Sequence, residues 1–317
     1  TASQAVGIAC DSRSANVRRP TGAFGLMSHG DIRIGTLVSM KDAVRVIPQV
    51  LPHGFESFQL NGGFGVGLVD FKSIASQVKD LIGDRAVISS IGYFGNPLSK
   101  PEDAQNFAAY IDACEHFGVK VIIGFAGALE NTPVDKQWDK FREVWAPLCQ
   151  RALDKGVKVG FENCDMGGTW HAPKWNIAHS PAAFDAIFNE IKLPNIGLCW
   201  EPCHQMVSLV DPIPQLRKYV DRVWNVHGKD ATIAWDVLRS SGLRGGKQWV
   251  WHRHPGFGDT DWRAVIDILR FNKWTGSIDI EGHHDPIYRG ELEWTGQVRA
   301  LNYLKQCRGG EFIPNPK

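Results

Sequence analysis

The stretch NIGLCWEPCHQM, residues 195–206, starts as a buried strand and stops at a glutamate followed by proline, cysteine and histidine. Glu201 and His204 at a strand end read in two ways. They form a structural hydrogen-bonded pair, or they are polar groups aimed at a metal or a substrate, and the residue types alone leave both open. The same kind of ending recurs in VKVGFEN (157–163), RVWNVHG (222–228) and GSIDIEG (276–282).

Working outward, short β-branched runs alternate with longer helical patterns, as expected of parallel βα units. Four earlier runs, IRIGTLV (32–38), FESFQL (55–60), VISSIGYF (87–94) and VKVIIGFAG (119–127), bring the strands to eight. Between them, KPEDAQNFAAYIDACEHFG (100–118) sets Phe107, Ala108, Ile111, Ala113, Cys114 and Phe117 near a three-four spacing, and Gly118 ends the helix. WDKFREVWAPLCQRALDKG (138–156) repeats the arrangement, with Pro147 predicting a kink or break.

Eight βα units without a linker are most simply closed into a (β/α)8 TIM barrel, one domain over residues 1–317; an open doubly wound sheet is the alternative. Residues 1–31 read as an N-terminal extension, and 231–260 as a long insertion after the seventh strand. FGVG (64–67) fits neither GxGxxG nor GxxxxGK[ST] and reads as a substrate-facing or turn loop.

Hydrophobic residues at 43% and charged residues at 22% suit a globular chain with a large core. A net charge of +1 provides no field for nucleic acid or an anionic membrane, so neither is an expected partner. Seven scattered cysteines with no CxxC pair predict reduced thiols, and no run of about 18 apolar residues spans a membrane. The expectation is a cytoplasmic protein.

In a βα barrel the C-terminal strand ends converge on one mouth. The last four strands would deliver Glu162, Glu201 with His204, His227, and Glu281. Carboxylates gathered together raise one another's pKa values, and a divalent ion such as Mn²⁺, Mg²⁺ or Co²⁺ relieves that conflict.

The set VGFEN, GLCWEPCH, VWNVHGKDA, PGFGDTDW and IDIEGHHDP resembles the sugar phosphate isomerase/epimerase family of xylose isomerase-like barrels, in that family's order, from about Ile32 to Cys307. The family is related to ketose 3-epimerases, inosose isomerases and dehydratases, and C-glycoside deglycosidase catalytic subunits. The resemblance implies one divalent metal, Mn²⁺ first and Mg²⁺, Co²⁺ or Zn²⁺ behind it, held by Glu162, Glu201, His227 and Glu281. It casts Glu162 and Glu281 as the acid/base pair and His204 as a substrate contact. Glu201 departs from the family's usual Asp and is one methylene longer.

Lys229 and Asp230 follow His227 in the family's H-x-K-D element, where they orient the imidazole, fix the loop or, for Lys229, meet substrate. Asp259 or Thr260 is expected to cap the helix after PGFGDTDW. In WVWHRHPG (249–256), Trp249, Trp251, His252, Arg253 and His254 read as contacts to a sugar or aglycone, as do Trp170, His171 and Trp175; an interface is the competing reading. His283 and His284 follow Glu281 towards the mouth.

The resemblance implies a sugar isomerase or epimerase that abstracts a proton next to a carbonyl through a metal-stabilised enediolate. Its alternative is a lyase cleaving 3-oxo-glycosides together with a small β subunit. The expected partners are therefore a sugar or glycoside and either further copies of the chain or that small subunit. A related DNA-repair endonuclease would need histidine ligands on the first four strands, which lack them.

Overall fold

Residues 30–310 and 313–316 are described by the computed structural model; residues 1–29 of the expected N-terminal extension lie outside them. Eight parallel strands close into a barrel: β1 (Ile32–Ser39), β2 (Ser57–Gly63), β3 (Val87–Phe94), β4 (Val121–Gly124), β5 (Lys158–Glu162), β6 (Ile196–Trp200), β7 (Val223–Gly228) and β10 (Gly276–Ile280). β1 pairs with β2 on one side and β10 on the other, which excludes the open sheet.

Around the barrel lie α1 (Ala43–Val50), α2 (Phe71–Ile82), α3 (Pro101–Phe117), α4 (Trp138–Asp154), α5 (Pro181–Glu190), α6 (Pro202–Val207), α7 (Pro212–Tyr219), α9 (Trp262–Phe271) and α10 (Glu293–Arg308). The α3 residues Phe107, Ile111, Cys114 and Phe117 are buried, and Gly118 closes the helix at φ 72°. α4 runs through Pro147 as one element. The ring lies on the exposed side, while Phe141, Trp145, Leu148 and Cys149 hold the opposite face in the core, so packing outweighs the lost backbone bond.

Strand alternation sorts the side chains in a way that matters for the site. In β10, Ile278 and Ile280 join the main apolar core, whereas Asp279 lies in the barrel interior. In β2, Phe58 and Leu60 join that core while Ser57 and Gln59 turn inward. Asp279 accepts from Ser57 (2.7 Å), Ser89 (2.7 Å) and Asn225 (3.1 Å). A buried carboxylate left unsatisfied would be costly, so these three donors explain why polar residues fill the lower lumen. Higher up, the opposite side is apolar, with Phe94, Ile123, Phe125, Cys164 and Cys199 packed together.

The insertion after β7 folds as an antiparallel ribbon of β8 (Asp230–Ile233) and β9 (Val250–Arg253), with α8 (Trp235–Ser241) between them. Buried Asp230 clips its two ends, accepting from Ala231 N, Thr260 N and Trp262 Nε1. A β-carbon on Gly258 would lie 2.3 Å from Asp230 Oδ1, so the clip requires glycine there. Asp261, not Asp259 or Thr260, caps α9 by accepting from Ala264 N. Asp259 instead accepts from Ile233 N, and Thr260 serves Asp230.

Among the described residues no helix is long and apolar enough to cross a membrane, and the six described cysteines are free.

Candidate active site and metal centre

Glu162 ends β5, Glu201 follows β6, His227 lies near the end of β7 and Glu281 follows β10. Barrel closure therefore draws together residues separated by up to 119 positions (281 − 162). One donor atom from each of the four lies within 4.8 Å of all the others. Glu162, Glu201 and His227 are buried, and the Glu281 side chain is 12% exposed.

Several interactions hold these groups in place. Asn163 pins the end of β6, accepting from Glu201 N (2.8 Å) and donating to Glu201 O (2.9 Å). Asn176 donates to the carbonyls of Glu162 (2.8 Å) and Cys164 (2.7 Å). Gln59 meets His227 Nε2, leaving Nδ1 to face the carboxylates at 3.1 Å from Glu281 Oε2 and 3.5 Å from Glu162 Oε2. Lys229, buried, reaches Glu281 Oε1 at 2.5 Å.

The electrostatics separate the two outer carboxylates. Burial pushes Glu162 up to about 7, with Glu281 adding to the effect and His227 and Lys229 opposing it. Burial opposes the charge on Glu281 too, but Lys229 and His227 hold it well below the usual carboxylate range. Burial, Lys229 and His252 lower His204 well below an ordinary histidine, so it is neutral. Two carboxyl groups whose environments drive their pKa values apart form a suitable acid/base pair.

Both carboxylate oxygens of Glu201, His227 Nδ1 and Glu281 Oε2 are buried without an aligned hydrogen-bond partner. These unpaired atoms of Glu201, His227 and Glu281, clustered with Glu162, fit a hard divalent cation, because carboxylate oxygens dominate the donor set. Glu201, despite its extra methylene, belongs to the cluster.

Above the cluster opens a cavity of about 1190 Å³. Glu162, Glu281, Lys229 and His204 line it on one side, and Phe64, Phe94, Phe125 and Trp294 contribute apolar surface. His252, His283, His284 and Asp165 also reach it.

The other expected substrate contacts do not line this cavity. His171 is exposed. Arg253 Nε lies 3.1 Å from Asp285 Oδ2, and the His254 ring lies 3.3 Å from Asp285 and 3.5 Å from Glu293. These two side chains anchor the ribbon to the loop after β10.

Gln59, Asn163 and Asn176 were not singled out from sequence, whereas Phe64 belongs to the FGVG loop expected to face substrate or turn, and it lines the cavity. The polar face Ser57, Gln59, Asn61, alternating with Phe58 and Leu60, was the available signal for Gln59. Phe64 is 64% exposed at φ 49°, a left-handed backbone that a bulky residue adopts at a cost. It stacks on Phe94 (6.2 Å, 9°) and Trp175 (5.8 Å, 17°).

Residues 49–306 match the family described as xylose isomerase-like TIM barrel. Over 241 residues the chain is 26% identical to the inosose dehydratase of Clostridium botulinum (strain Alaska E43 / Type E3), covering 69% of this chain and 76% of that protein. The xylose isomerase domain protein from Planctomyces limnophilus superposes with a TM-score of 0.65 at 16% identity, over 87% of this chain and 97% of that one. The 3-keto-D-glucoside 4-epimerase from E. coli gives 0.64 at 16% identity, over 87% and 100%.

Proposed function

The chain belongs to the xylose isomerase-like TIM barrel family, and from that premise we propose that it is a divalent-metal-dependent enzyme that enolises a keto-sugar or keto-polyol, with isomerisation or epimerisation as the outcome. The observation that carries this reading is the convergence of Glu162, Glu201, His227 and Glu281, one donor atom of each within 4.8 Å of the others, with Glu162 and Glu281 lining the cavity.

Glu162, Glu201, His227 and Glu281 would hold the metal, with Mn²⁺ the ion we favour. When bound, such an ion polarises a substrate carbonyl and steadies the negative oxygen of an enediolate. The protein's own groups do the rest. One of Glu162 and Glu281 takes the proton from the carbon next to the carbonyl, and the other returns a proton from the opposite face. Lys229 keeps Glu281 ionised. His204, neutral and bordering the cavity, is placed to hydrogen-bond a substrate hydroxyl. Gln59 fixes the His227 ring through Nε2.

A second reading, a lyase that completes the same enolisation by β-elimination, draws support from two observations. The cavity exceeds the roughly 300–1,000 Å³ of ordinary small-molecule sites and has an aromatic side, which suits a glycoside carrying a bulky apolar group. The inosose dehydratase relative is named for an elimination. His252, rather than His171, Arg253 or His254, is the insertion residue that borders the cavity in either reading.

Incubating the Mn²⁺-loaded protein in D₂O with ketoses, an inosose and 3-keto-glucosides, followed by NMR, tests both readings. Deuterium at the carbon next to the carbonyl supports the shared step. Rearranged sugar then marks the isomerase or epimerase, and an eliminated product marks the lyase. The absence of both deuterium uptake and product with all three classes would refute the proposal.

A further inference from the structure

Cys164, two residues beyond Glu162, borders the cavity and has no role in the reaction described above. One donor atom each from Glu162, Cys164 and His204 lies within 4.8 Å of the other two, and all three residues are buried. His204 provides an independent sign of a ligand. Its Nδ1 lies 3.9 Å from Asp165 Oδ1, beyond hydrogen-bond reach, and its Nε2 lies 2.8 Å from Glu201 Oε1 without the alignment of a hydrogen bond. Both ring nitrogens are thus buried and unpartnered, on a side chain only 5% exposed.

This second donor set differs in chemistry from the first. Sulfur, imidazole and a single carboxylate suit borderline and soft ions, whereas three carboxylates and one imidazole suit hard ones. We propose that Glu162, Cys164 and His204 form a second metal site, selective for a thiophilic ion such as Zn²⁺ or Cd²⁺, adjoining the oxygen-rich site and sharing the Glu162 carboxylate with it. Adjacent ions bridged by one carboxylate have precedent in two-metal centres. On binding, the Cys164 thiol releases its proton to solvent and the thiolate sulfur bonds to the ion. Occupation ties up Glu162 and His204, so the second ion inhibits; that consequence alone rests on the function proposed above.

The test uses the full chain, stripped of metal and re-equilibrated with Zn²⁺ or Mn²⁺ before elemental analysis. Two zinc ions and one manganese ion per chain are expected. Cys164→Ser should lower zinc to one and leave manganese at one. Titration with Co²⁺ should give a thiolate-to-cobalt charge-transfer absorption in the wild-type protein and none in the variant. Should Cys164→Ser fail to fold, mass-mapped alkylation of wild-type Cys164 by N-ethylmaleimide carries the test, with Zn²⁺ protecting the thiol and Mn²⁺ leaving it reactive. One zinc per chain in the wild type, a charge-transfer band surviving in Cys164→Ser, or equal alkylation with and without Zn²⁺ would overturn the site. Cobalt binding through Cys164 in a protein that turns over no keto-sugar would support the site and count against the functional proposal instead.

Discussion

The two halves of the barrel mouth are built from the same kind of strand and end differently. β5, β6, β7 and β10 lead to Glu162, Glu201, His227 and Glu281, whereas β1 to β4 end at Ser39, Gly63, Phe94 and Gly124. The first half concentrates buried charge, and the second presents Phe94 and Phe125 with Phe64 at the rim. Under the proposed function, their difference would separate tasks: proton transfer and metal ligation need desolvated polar groups in fixed geometry, while grip on an apolar part of a ligand needs only surface.

The largest expected effect lies in the charged half. Glu162→Gln and Glu281→Gln should each lower kcat by about 10²–10⁴-fold while leaving the circular dichroism spectrum unchanged. A variant of either kind with full activity on an identified substrate would dissolve the division of labour.

Next comes the buried ion pair between Lys229 and Glu281. Lys229→Met strands a carboxylate without its cation, and in the metal-free protein should cost about 3–5 kcal/mol, read from the denaturant midpoint. An unchanged midpoint would mean that the charged half does not depend on this pair.

A smaller effect is expected at Asp285, which ties the ribbon to the loop after β10. Burial opposes its charge, but the backbone N–H groups of Tyr288, Ile287 and His254 and the Arg253 guanidinium lower its pKa to about 2. The folded pKa lies below the unfolded value of about 3.9, so its contribution is full above that value and is lost as pH falls through about 2. Asp285→Asn should therefore destabilise the protein by on the order of 1 kcal/mol at pH 7, discounted for solvent screening, and by progressively less towards pH 2. Chemical denaturation across that range checks the sign.

The smallest effect belongs to the apolar half. Phe64 is largely exposed, so Phe64→Ala should shift stability by no more than about 0.5 kcal/mol. It should raise KM about 3–10-fold for substrates bearing a planar group and leave kcat nearly unchanged. A fall in kcat instead would show that the aromatic half takes part in the chemistry.

The charged half was also the more legible. β-Branched runs announce strands, and a barrel brings their ends together, so Glu162, His227 and Glu281 could be grouped before any coordinates. Sequence does not show which face of a ribbon turns inward: Arg253 and His254, expected to meet substrate, face Asp285 and Glu293, and His252 reaches the cavity. In DTD (259–261) three potential caps stand in a row, and only the backbone path selects Asp261. Gln59 escaped notice because its importance depends on a contact with His227, 168 positions away.

The central claim is that the gathered carboxylates and His227 share one hard cation. Isothermal titration of the metal-free chain with Mn²⁺ tests it most directly. One ion per chain is predicted for the wild type, with binding abolished in the Glu201→Gln, Glu281→Gln double variant; no binding by the wild type, or undiminished binding by the variant, would contradict the account.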